Sequence, residues 1–238
     1  MPAGFQVFNA DGDTLQVDGQ YINYSLRKSA YITNGMPVDN GVDGRHYLVD
    51  ITGLNRPIIA TRTTSSSGLV SVEVVRPKGY YPGYVAGHLY ARFSFESSST
   101  WVAYYIFDQW IAPRGNSGIE VFNSAGNIVF HSDWLTLKIV DVLVAASDVP
   151  TDRYSTHVIG SIPSGSALIQ TYTRSTTRAP SGSYPSTYRT GVWTEGTTVK
   201  MQYIFVGVYG SSSSSGFNSG MPLLVLVVNV DGLPVPYG

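Results

Sequence analysis

The residues of this 238-residue chain with chemistry to offer are few. Its histidines, His46, His88, His131 and His157, sit in four separate segments, and none falls into a metal-ligand spacing such as HxH or HExxH. They read as strand or surface histidines. Asn9-Ala10-Asp11-Gly12-Asp13 places oxygen ligands at alternate positions, as a calcium loop does. A second occurrence of the same phrase argues for a turn instead, because Asp11 and Asp13 are replaced there by Ala125 and Asn127 while Asn123 and Gly126 persist. No metal is expected. Cysteine is absent, which excludes disulfides, thiolate zinc sites and a cysteine nucleophile. There is no G-x-S-x-G elbow and no glycine-rich phosphate cradle. Glu73, Glu96 and Glu195 are candidate carboxylates for glycoside hydrolysis, but nothing in their spacing selects a pair. The expectation is a protein that is not an enzyme and needs no cofactor.

Two stretches offer binding chemistry. Gly79-Tyr80-Tyr81-Pro82-Gly83-Tyr84 puts three tyrosines in a loop, where Tyr80, Tyr81 and Tyr84 either stack on sugar rings or a partner or fold onto their own sheet. Thr173 to Gly191 is the longest stretch without apolar period, and it carries Arg174, Arg178, Tyr184, Tyr188 and Arg189. These types are enriched at binding hot spots, and a loop this long is either functional or disordered.

The elements that must position these residues are strands. Glu and Lys, the usual fillers of exposed helix faces, occur four times each, whereas Thr, Ser, Val, Tyr and Gly abound. Short strands are expected at Tyr21–Leu26, Tyr47–Ile51, Ile58–Arg62, Leu69–Val75, His88–Phe95 and Thr100–Phe107. In the second half they are expected at Trp134–Ala145 with a bulge at Val140-Asp141, His157–Ile162, Ala167–Tyr172, Val192-Trp193, Val199–Val208 and Leu223–Val230. Turn residues are expected around Ala30–Thr33. Thr100–Phe107 is apolar on both sides, with Trp101, Ala103, Tyr105 and Phe107 on one and Val102, Tyr104 and Ile106 on the other, so it should be central and covered twice.

GFQVFNADGDTLQVD at Gly4–Asp18 and GIEVFNSAGNIVFHSD at Gly118–Asp133 are two writings of one β-hairpin. In each, the Asn (Asn9, Asn123) bonds the backbone two residues on, and the Gly three positions later (Gly12, Gly126) takes the left-handed conformation. Thr100–Phe107 and Thr198–Phe205 read as a matching pair of closing strands. The reading is all-β: two tandem antiparallel β-sandwich-like units related by internal duplication, 1–112 and 118–238, joined by a short linker at 113–117.

A net charge of −1 removes the electrostatic support for nucleic-acid binding. The longest apolar run, Leu223–Val228, is too short to span a bilayer, and the N-terminal residues do not read as a signal peptide.

The hairpin phrase, preceded by the strand Tyr104–Pro113 (YYIFDQWIAP), resembles small structural proteins encoded in the tail-tip and tail-fibre region of tailed bacteriophages and prophages. That resemblance implies a virion protein of the distal tail, assembled in the host cytoplasm with other tail proteins. It implies a homo-oligomer, ring or spike, and a host receptor or surface glycan as a further partner. The alternatives are a carbohydrate-binding module or glycan-active tail protein using the tyrosines, and a capsid decoration protein.

Overall fold

The structure is a computed structural model that describes residues 7–8, 15–17, 22–33, 45–63, 69–76, 85–95, 101–152, 154–178, 186–208 and 221–238. Among these residues every regular element is a strand. The first half holds β1 (Val7–Phe8), β2 (Leu15–Val17), β3 (Tyr24–Ile32), β4 (Arg45–Asp50), β5 (Ile58–Thr63), β6 (Val70–Val75), β7 (Tyr90–Phe95) and β8 (Val102–Gln109). The second holds β9 (Glu120–Phe122), β10 (Ile128–His131), β11 (Ile139–Ala145), β12 (His157–Ser161), β13 (Ser166–Gln170), β14 (Ser175–Arg178), β15 (Ser186–Glu195), β16 (Thr198–Val208) and β17 (Leu223–Asn229).

All pairing is antiparallel, and it builds two large sheets that both halves share. One runs β11-β17-β13-β5-β8-β3; the other runs β12-β16-β15-β6-β7-β4, with β14 added against β15. The strand order is the same in each half. β3-β8-β5 and β4-β7-β6 in the first correspond to β11-β17-β13 and β12-β16-β15 in the second, and a two-stranded hairpin precedes each set. Even an irregularity recurs: the β3–β8 ladder slips between Leu26 and Lys28, and the β11–β17 ladder slips between Ile139 and Asp141. The second slip is where the sequence loses its alternation.

β8 explains why the sheets pack as they do. Val102, Tyr104 and Ile106 enter a core with Phe93 and Val70 of the facing sheet, while Ala103, Tyr105 and Phe107 enter a second core on the opposite face. Burial pushes the Tyr104 phenol up to about 12, and its ring sits 5.3 Å from that of Phe93. In the second half Leu168, Val225 and Val227 meet Val192, Val199 and Met201 across the layers. The second face of the β8 sheet is covered by Leu135, Leu137, Leu233, Val235 and Tyr237, from the segments before β11 and after β17. Leu26 N–H donates to Leu135 O (2.8 Å) and Leu137 N–H to Tyr24 O (2.9 Å), while the next residue, Lys138, already accepts from Asn229 N–H of β17.

The second hairpin folds as its residues dictate. Asn123 Oδ1 accepts from the N–H groups of Ala125 (3.1 Å) and Asn127 (2.9 Å), and Gly126 takes φ 81°. The hairpin packs on Ile22, Trp110, Ala112 and Trp134. The corresponding Asn9 and Gly12 lie outside the described residues.

Three expectations are corrected. Ala30 to Ile32 continue β3 instead of turning, because they pair with Tyr104, Ala103 and Val102 of β8; on the other side of β3, the Ser29 N–H and C=O both bond Tyr237 at 2.9 Å. Thr173–Gly191 is not irregular at its two ends, since β14 pairs with β15 through Ser175↔Arg189 to Arg178↔Ser186, while residues 179–185 lie outside the described residues. Its alternation is polar, with Arg174, Thr176, Thr187 and Thr190 buried, so a search for apolar period passes over it. Finally, Thr100–Phe107 and Thr198–Phe205 do not occupy matching places. β16 lies in the other sheet, and β17 stands where β8 stands in the first half.

Asp50, at the end of β4, is held to about 2 by its hydrogen bonds, first from Thr52 and then from the His88 ring. His88 Nδ1 lies 2.7 Å from Oδ2. A carboxyl lowered on folding contributes stability above its unfolded value near 4, and that contribution disappears as pH falls towards 2. Asp50→Asn should therefore lower the urea midpoint at pH 6 by a small amount, because the pair is half-exposed. The difference from wild type should vanish by about pH 2.

Candidate functional site

The two halves touch along a narrow seam. β5 meets β13 at the single pair Thr61↔Leu168, and β6 meets β15 at Val70↔Val192. Gly191 permits this approach, since a Cβ there would lie 2.7 Å from Leu69 Cδ1 and 3.1 Å from Val70 O. At one end the layers are tied by Thr63 and Thr194, whose hydroxyls are 2.9 Å apart. Towards the other end a cleft of about 520 Å³ opens between Ile58 and Ile59 of β5, Val72 to Val74 of β6, and Ile169 to Thr173 at and after β13.

The walls are mostly aliphatic, and the polar groups are fixed. Glu73 Oε1 accepts from both Arg92 of β7 and Arg189 of β15, so this carboxylate is neutralised on two sides and ties β6 to β15. Thr173 Oγ1 donates to Val72 O at 3.1 Å. Gln170 Nε2 donates to Thr190 O and Oγ1, both at 2.9 Å, which sets the orientation of the amide. Both Gln170 and Tyr172 line the cleft, but Gln170 Oε1 and the Tyr172 hydroxyl are buried and do not open onto it.

Only part of the sequence-derived set gathers here. Arg189 reaches the seam through Glu73. Tyr188, its neighbour, packs edge-on against Phe205 at 5.9 Å. Arg174 is no surface group: it is 2% exposed, and its guanidinium donates to the carbonyls of Ala146 (3.0 Å), Ser147 (3.3 Å), Val149 (2.5 Å) and Met221 (3.4 Å). It ties the segments flanking β11 and β17 and is closed to a ligand. The reason is the β14–β15 pairing just described, which turns the residue inward. Arg178 stands at the end of β14. Tyr80, Tyr81, Tyr84 and Tyr184 lie outside the described residues. Glu73 was visible in the sequence as an acid; Gln170 and Tyr172 line the cleft but gave no signal there.

A second polar cleft, of about 460 Å³, lies under the second hairpin between Arg114, Glu120 and His131. His131 is fully buried, and its Nδ1 accepts from Asp133 N–H at 3.0 Å. Arg114 pairs with Glu120, and Gly115 N–H with Asp133 Oδ2. These contacts fasten the linker to the hairpin. Among the described residues no three His, Asp or Glu side chains are grouped to hold a metal ion.

The last feature is a surface. Val140, Val142 and Val144 of the edge strand β11 are exposed, with Val142 at 49% and Val144 at 57%, and so are Leu224, which pairs with Val144, and Val158 of the neighbouring β12. The β3 edge is covered by Tyr237, whereas at β11 the Val142 N–H is met by the adjacent Asp141 carboxylate at 2.7 Å.

No family model, curated protein or solved structure shows significant similarity to the chain.

Proposed function

We propose that the protein is a structural component of a bacteriophage virion at the distal end of the tail, assembling through β surfaces and contributing to host attachment. The observation that carries this reading is the β11 end of the molecule. An edge strand with three exposed valines, beside further exposed apolar residues, is a surface that soluble proteins ordinarily blunt, and here Asp141 is the one charge on it. Pairing and stacking with neighbouring chains is the use such an edge fits, and closed symmetry would repeat the contact around a ring or spike. The hairpin resemblance supplies the tail; the β surfaces supply the mode of assembly. We further infer that the repeated strand order and repeated ladder slip arose by duplication of one half.

Mass measurement in solution together with antibody labelling of purified particles tests the reading. The expected result is an oligomer, and label at the tail tip. Label on the head would favour the capsid-decoration reading, and intact infectious particles lacking the protein would contradict the proposal.

A further inference from the structure

We infer that β11 is the docking edge for a second copy of this chain, paired antiparallel about a two-fold axis through Leu143. The inference rests on the reading of the β11 end as an assembly surface, and it names the partner that surface takes. Leu224, opposite Val144, turns its carbonyl away from β11 to accept from Thr171 N–H at 3.2 Å. Val144 therefore stands at a pair without ladder hydrogen bonds, and its N–H and C=O point to the free edge. Val142, two residues back, points the same way, which is why its N–H is met by the Asp141 carboxylate instead of by β17.

The sequence of the strand selects the partner. It reads Asp141-Val142-Leu143-Val144-Ala145, so a second β11 laid antiparallel sets Val142 against the partner's Val144, twice, and Leu143 against its own copy. Each valine pair exchanges two hydrogen bonds, and the exposed valines, with Leu224 beside them, become one apolar row. The two Asp141 carboxylates then lie opposite Ala145, about 13 Å apart along the strands, beyond the screening length at physiological salt. Centring the pair on Val142 would set Asp141 against Leu143 and roughly halve that separation.

The chain already makes such a joint inside itself. By strand order β5 is the counterpart of β13 and β6 of β15, and the seam pairs each strand with its counterpart, antiparallel, in both layers. β3, the counterpart of β11, is closed by bridges from Ser25 to Thr136 and from Ser29 to Tyr237. Among the described residues that leaves one open edge in this sheet, and one open edge builds a closed dimer instead of a filament.

Sedimentation velocity of the full-length chain over a dilution series tests the inference. The expected result is a monomer–dimer equilibrium with a Kd on the order of 10 μM and no larger species. Val144→Pro removes an N–H that the β17 ladder does not use, so it should keep the far-UV spectrum and raise the Kd about tenfold or more. Val142→Lys should do the same by placing a charge in the apolar row. A monomer throughout the series, growth beyond the dimer, or a Kd unchanged in either folded variant would each overturn the inference. Label at the tail tip from a protein that is monomeric in solution would strike the two-fold partner alone and leave the tail reading standing.

Discussion

Phe107→Ala is expected to lower the unfolding free energy by about 3–5 kcal/mol, read as a fall in the urea midpoint at unchanged slope. Phe107 is completely buried in the sheet that both halves share, paired with Leu26 on one side and Ile58 on the other. Its ring enters the core that also holds Tyr105, Ala167 and Val228, so the residues around the vacancy come from both halves. Aliphatic neighbours on three strands cannot all move inward without breaking ladder pairs, which is why collapse should recover little of the loss. A cost below about 1 kcal/mol would mean that this core is loose or wet.

Arg174→Met should cost a comparable amount, about 3–5 kcal/mol, although it removes a charge from the interior. The guanidinium donates to four backbone carbonyls around the ends of β11 and β17, and truncation to a thioether leaves those part-buried acceptors without a protein donor. Burial pulls the Arg174 pKa down, with the nearby phenols of Tyr203 and Tyr172 opposing, and the Tyr203 phenol is itself pushed up by burial. Arginine remains charged despite such a shift. Lysine should not rescue it, because a point charge with three donors cannot span carbonyls that a planar fork reaches. A Met variant within about 1 kcal/mol of wild type would show the carbonyls to be solvated.

Much of the fold was legible in the sequence, for reasons that differ by element. β8 betrays its position because a strand covered on both faces must be apolar on both, and Val102–Phe107 is. The turn at Asn123–Gly126 is legible because only certain residues tolerate its geometry. The bulge near Val140 shows as a slipped phase. The β14–β15 hairpin is not legible: its inward positions are Thr and Arg, satisfied by hydrogen bonds that have no sequence period. The resemblance between β8 and β16 misleads for a related reason, since both are central strands under the same packing demand in different sheets. Of the site, Arg189 and Glu73 were each singled out, but β6 with Glu73 and the segment Gln170–Tyr172 meet only through the seam, and a seam between distant strands leaves no local trace.

That seam is the claim on which the rest depends: both layers run through both halves, so the halves should melt as one body. Scanning calorimetry of the intact chain, repeated on Phe107→Ala and on Val227→Ala (one core substitution in each half), tests it most directly. The account predicts one transition whose calorimetric and van't Hoff enthalpies agree, shifted downward by either substitution. Two transitions, each moved by only the substitution in its own half, would contradict it.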